Sequence, residues 1–211
     1  MLKKTFVTAA MATFLFTSCT EAKQDTTATA ETENMERHEG MAHGETTPAS
    51  GKVVVETPDY TSAASPVKEQ VATLVNNYLK LKDKLVASSA QQAQADAKAV
   101  VAAAEKVDVT ALQGEQKTFA EEKLSEVRQA ASTMAGATDL ETQRAQLELL
   151  SEATFALTKA FGAANETLYY QHCPMANNDQ GAYWLSSNEE IRNPYFGEKM
   201  LKCGSNEEVL N

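Results

Sequence analysis

Metal-binding side chains are scarce in this chain. Histidine and cysteine each occur three times in 211 residues. Basic charge is also short: 19 Lys and Arg stand against 29 Asp and Glu, for a net charge of −10. A chain that acidic lacks the electrostatic footprint of a nucleic-acid binder. No apolar run is long enough to cross a bilayer, which takes about 20 residues. No glycine-rich phosphate loop is present. The one nucleophile near a histidine is Cys173, and sequence neighbours such as His172 and Cys173 rarely aim one ring at the other's sulfur. The expectation is a protein that is not an enzyme. No Cys-x-x-Cys-His stretch marks haem attachment. Residues 65–211 hold one histidine, whereas a blue-copper site uses two with one cysteine.

What is present is gathered. All three histidines lie in Met35-Glu-Arg-His38-Glu-Gly-Met41-Ala-His43 and His172-Cys173-Pro174-Met175. The only cysteines beyond the N-terminal leader are Cys173 and Cys203. Of the five later methionines, only Met134 falls outside these stretches and Met200-Leu-Lys-Cys203-Gly204. Thioether beside thiolate is the donor set of a soft ion, above all Cu(I). Zinc ranks behind copper, because its usual donors are Cys, His and carboxylate.

The N-terminus reads as a lipoprotein signal peptide over residues 1–18. Lys3 and Lys4 precede a short apolar run, Phe6 to Phe16, and Phe16-Thr17-Ser18-Cys19 resembles a lipobox. Cys19 is then the lipidated residue, and its acyl chains tether the mature protein to a membrane. The expected location is the cell envelope, lipid-anchored, on the periplasmic side or the cell surface of the outer membrane. Residues 19–64 read as a disordered linker, too poor in large apolar side chains to offset the entropy of ordering. Met35, His38, Met41 and His43 would make a weaker, flexible capture site within it.

Residues 65–211 read as one domain. Ser65-Pro66 signals a helix start. Val67, Val71, Leu74, Tyr78, Leu81 and Leu85 then step by four and three, which draws one apolar stripe. Ser88-Ser89 breaks it. A second, alanine-rich helix runs from about 90 to 106. Thr110 with Gln113, and Thr138 with Glu141, resemble capping boxes for a third and fourth helix. The fourth carries Leu140, Leu147, Leu150, Thr154, Leu157, Phe161, Ala164 and Leu168. The expected fold is all-α: an antiparallel four-helix bundle with an irregular C-terminal segment, with room for a short hairpin, packed on it. Tyr78, Phe119, Met134, Phe155 and Phe161 are expected core, while Trp184, Tyr195 and Phe196 anchor the C-terminal segment. Ala182 to Leu185 suits a short strand, and Glu198 to Cys203 a helical turn closed by Gly204.

Pro174 pushes Cys173 towards extended backbone. In a strand, residues two apart share a face, so Cys173 and Met175 would point together and His172 away. One helical turn would align Met200 with Cys203. The expected ligand set is Cys173, Met175, Met200 and Cys203, with His172 as an extra or replacement donor. Outside the cytoplasm a Cys173–Cys203 disulfide is the rival reading, which leaves a structural or interaction lipoprotein without metal.

Several motifs are also similar to a known family. Tyr78-Leu-Lys-Leu-Lys-Asp83-Lys-Leu-Val86-Ala, Phe155-Ala-Leu, Tyr170-Gln-His172-Cys173-Pro174-Met175-Ala176, Trp184-Leu-Ser, Asn193-Pro-Tyr-Phe-Gly197 and Met200-Leu-Lys-Cys203-Gly204 resemble a domain of unknown function in Gram-negative periplasmic lipoproteins. That domain also occurs fused to adaptor (membrane fusion) subunits of copper/silver efflux pumps. The resemblance spans about residues 66–208. It implies a helical, periplasm-facing domain linked to heavy-metal handling, with a metal-efflux adaptor as a partner in trans. It assigns no ligand.

Overall fold

The computed structural model describes residues 55–211. Cys19, Met35, His38, Met41 and His43 lie outside the described residues.

Helix α1 spans Ser65–Val86, and every member of its predicted stripe is fully buried. Burying each such side chain is worth about 1.5–3 kcal/mol, so the stripe fixes how α1 faces the core. Pro66 sits in the first turn, but Ala64 occupies the capping position and no side chain caps the helix. Ser88, with φ +53°, breaks the chain after α1. Helix α2, Ala90–Glu105, buries Ala93, Ala97, Val100 and Ala104. These small side chains let its neighbours approach closely.

Helix α3 covers Gly114–Gly136. The expected Thr110–Gln113 capping box is not formed. Asp108 instead accepts hydrogen bonds from the Thr110 amide and hydroxyl and closes a short 3-10 turn, Val109–Ala111. The second expected box fails in the same way. Asp139, not Thr138, caps the next helix by accepting from the Thr142 amide at 2.8 Å. In both places an aspartate one or two residues from the hydroxyl chosen from sequence caps the local turn or helix instead, and α3 itself starts without a side-chain cap. The expected fourth helix is split at Gln146 into α4, Leu140–Ala145, and α5, Leu147–Phe161. Helix α1 packs on α2, α2 on α3, α3 on α5, and α5 returns to α1. A four-helix bundle is therefore present.

The domain is not all-α. Helix α5 stops at Phe161, where Gly162 takes φ +60°. Ala164 and Leu168, expected on the fourth helix, lie beyond its end. Leu168 opens a strand. A three-stranded antiparallel sheet follows: β1, Leu168–Cys173; β2, Ala182–Ser186; β3, Ser205–Leu210, in the order β2-β1-β3. On one side β1 pairs Tyr170 with Leu185, His172 with Tyr183 and Cys173 with Ala182. On the other it pairs Tyr170 with Glu208 and His172 with Ser205, across a bulge.

The two sheet faces have different neighbours. Tyr170 stacks on Phe155 of α5 with ring centres 3.9 Å apart, and Tyr183 stacks on Tyr170 at 4.9 Å. Glu208, opposite Tyr170, meets the Lys159 ammonium at 2.6 Å. This face lies on the helices. Gln171, Cys173 and Trp184 belong to the other face by strand alternation. There the Gln171 amide donates to the Asn188 carbonyl, and Trp184 packs edge-on against Tyr195. Residues 187–204 thus form a strap across the outer face. Trp184 and Tyr195 are buried and Phe196 half-buried, so the expected anchors do hold this segment.

Within residues 55–64, assigned from sequence to the linker, Val55, Tyr60 and Ala63 pack against the core. The Tyr60 ring lies 5.7 Å from Phe119 and 5.6 Å from Phe161, and its amide donates to the Ala160 carbonyl. The Lys159 ammonium donates to the Val55 carbonyl. Among the described residues, no helix is long and apolar enough to cross a membrane.

Candidate metal centre

Cys173 is the last residue of β1. Pro174 ends the strand there, since proline has no N–H to offer the ladder. The Cys173 side chain is fully buried beneath the strap. Cys203 approaches from the strap's far end, and one buried residue holds it there. Asn193 donates its side-chain amide to the Cys203 carbonyl at 2.8 Å. The same side chain accepts from the Tyr195 and Phe196 amides, while the Asn193 backbone N–H donates to the Leu201 carbonyl. A 3-10 turn, Gly197–Met200, leads into Cys203, whose amide donates to the Met200 carbonyl at 3.1 Å.

The result is a thiol pair. The sulfur of Cys173 lies 2.7 Å from that of Cys203, and both cysteines are free. The hydrogen bond that the Cys203 thiol donates to Cys173, which favours its protonated form, and then burial, push Cys203 up to about 11. Metal uptake at this pair requires loss of the thiol protons.

Gly204 allows the strap to pass. Its φ is +143°, and a β-carbon there would fall 2.7 Å from the His172 carbonyl and 2.9 Å from the Trp184 ring. Sequence reading gave this glycine only the role of a helix stop. Asn193 appeared there only within a motif of the family resemblance. The visible signal was the pair of adjacent motifs, Asn193-Pro and Cys203-Gly204, but nothing in them says that one holds the other.

His172 takes the opposite face from Cys173. Its ring lies 4.3 Å from that of Tyr183 and rests over Gly181, where an added β-carbon would meet Nε2 at 2.5 Å. Met175 does not continue the strand. The chain turns there, with φ −91° and ψ −7°, and enters a left-handed turn through Asn177, Asn178 and Asp179. Met175 is 46% exposed. Met175 and Met200 line one cavity of about 740 Å³, together with Arg144, Asn177, Tyr195 and Phe196, and neither cysteine lines it. The structure thus brings thiol to thiol and thioether to the same cavity as thioether, and turns the imidazole away. Among the described residues, no group of three or more His, Cys, Asp or Glu side chains forms a site for an ion.

A family model described as a protein of unknown function (DUF3347) matches residues 74–166. The match runs from within α1 to just past α5, so it covers the bundle and stops short of β1. The cysteine motifs, the sheet and the strap all lie beyond it. No curated protein and no solved structure matches the chain.

Proposed function

We propose that this protein is a lipid-anchored, envelope-facing binder of soft metal, Cu(I) above all, which sequesters the ion or passes it to efflux machinery. It acts without enzymatic chemistry, and a metal-efflux adaptor is its partner in trans. One observation supports the reading: two cysteine sulfurs from distant parts of the sequence lie side by side, with Met175 and Met200 two and three residues from them in the chain. Thiolate and thioether together favour Cu(I) over zinc. Anaerobic purification of the chain with its thiols reduced, followed by Cu(I) loading and desalting, tests it. About one tightly held copper per chain is expected, lost in Cys173→Ser and in Cys203→Ser. Retention of copper by both variants would remove the thiol pair from the site.

A second reading is favoured by the same closeness. The thiols are near enough to oxidise to a disulfide, which would tie β1 to the end of the strap and leave an interaction module with no metal. Mass measurement with and without reductant separates the two. A bridge that mild reductant does not open supports the structural role, since structural disulfides resist reduction.

A further inference from the structure

The copper reading treats the sulfurs as one set, but the fold divides them. The thiol pair sits under the strap with Cys173 fully buried, while Met175 and Met200 face a cavity bounded by α4, the left-handed turn and the 3-10 turn before Cys203. Packing methionines in this protein look different: Met134 is fully buried in the bundle. Met175 is the single exposed large hydrophobic side chain among the described residues.

Three of the cavity's polar side chains are committed to the fold, while the Lys199 ammonium and the Asn178 amide also lie on its lining. The Arg144 guanidinium donates to the Pro194 carbonyl, the Leu85 carbonyl and the Ser88 hydroxyl. The Tyr195 hydroxyl donates to the Tyr183 carbonyl, and the Asn177 amide to the Glu148 carboxylate. Glu141 and Asp179 on the lining offer hard oxygen, which ranks behind sulfur for a soft ion. The two thioethers remain as soft donors open to the cavity. Each is tied to a thiol by a very short run of chain. Met175 is two residues from Cys173 and Met200 three from Cys203, so the backbone spans are at most about 7 and 11 Å.

We propose that Met175 and Met200 form an outer docking station for a soft monovalent ion, separate from the thiol pair, from which the ion moves inward to Cys173 and Cys203. This rests on the reading of the two cysteines as Cu(I) ligands. The thioethers are neutral, weaker donors, and the thiolates are stronger, so the transfer runs downhill. It is a ligand exchange. Two metal–thioether bonds break, two metal–thiolate bonds form, two thiol protons leave to solvent, and copper stays Cu(I).

The test is carried out on the full reduced chain, with Cu(I) supplied from an acetonitrile complex. Met175→Leu/Met200→Leu changes shape little, and its thermal melt is compared with that of the wild type to verify folding. Stopped-flow loading of this double variant is expected to slow by about tenfold or more, while its equilibrium affinity against a chromogenic Cu(I) chelator stays within about threefold of wild type. In Cys173→Ser/Cys203→Ser a weak site is expected to persist, and to vanish when the two methionines are also replaced. Met35, His38, Met41 and His43 are common to all four proteins and cancel in the comparison. Wild-type loading rates in the methionine variant overturn the station and leave the thiol reading standing. Loss of affinity in the methionine variant as large as in the cysteine variant overturns it in favour of a single four-sulfur centre. A wild-type chain that takes up no Cu(I) ends both readings.

Discussion

The Tyr78 hydroxyl on α1 accepts a hydrogen bond at 3.1 Å from the backbone N–H of Leu185 on β2. It also lies 2.7 Å from the Ser151 hydroxyl on α5. Strand β2 is an edge strand, paired only with β1, and its outward N–H finds a partner in the bundle. A fully buried tyrosine therefore fastens the sheet that carries Cys173 to the helices. Burial raises the pKa of this hydroxyl, so it stays a neutral phenol.

Tyr78→Phe keeps the ring and removes both bonds. Ser151 retains its bond to the Leu147 carbonyl, but the Leu185 N–H is left without a partner. A buried unpaired donor costs about 1–3 kcal/mol. Urea unfolding should show a lower midpoint with an unchanged slope.

Alkylation of Cys203 by iodoacetamide should follow its raised pKa, because the thiolate is the nucleophile. Peptide mapping across pH should find slow modification up to pH 9, rising towards about 11. Replacing Cys173 by alanine removes the hydrogen bond that is the main cause, so the profile should move back towards 9. A thiol whose pKa is raised in the folded state favours folding below its ordinary value near 9, and that contribution fades as pH rises towards about 11.

Gly204→Ala places a methyl against the His172 carbonyl and the Trp184 ring at a backbone angle that suits glycine. The expected loss is roughly 2–4 kcal/mol, from strain together with overpacking. Because Cys203 adjoins the glycine, this variant should also bind copper less tightly, measured by chelator competition.

Asn178 is exposed and holds φ +57° between two other left-handed residues. Each such residue costs about 1–2 kcal/mol, somewhat less for Asn and Asp. Asn178→Gly should relieve part of this and raise stability by about 0.5–1 kcal/mol, read from the thermal midpoint. A fall would mean that the asparagine side chain supports the turn.

The bundle was legible because helix packing writes a period into sequence. Val67 through Leu85 is a clear stripe, and every one of its members is buried. Strand β2 was expected at Ala182–Leu185 and is present, but the other two strands were hidden, for two reasons. Leu168 falls in phase with the α5 stripe, and only Gly162, with nothing else to mark it, signals the break. Strand β3 reads Ser-Asn-Glu-Glu-Val-Leu, whose paired acids look like a solvated end; yet Glu208 is buried against Lys159. At the candidate site, sequence correctly placed Cys173 in extended backbone with His172 on the far side. The meeting of Cys173 with Cys203 was proposed from chemistry, and the fold does bring them together. The parting of the methionines from the thiols was not legible, because it depends on the turn at Met175 and the left-handed residues after it.

X-ray absorption at the copper edge of the Cu(I)-loaded reduced chain tests the central claim most directly. The copper reading predicts a first shell made only of sulfur, which gives way to nitrogen and oxygen in Cys173→Ser/Cys203→Ser. A nitrogen- and oxygen-dominated shell in the wild-type chain, or a spectrum unchanged by the double substitution, would contradict it.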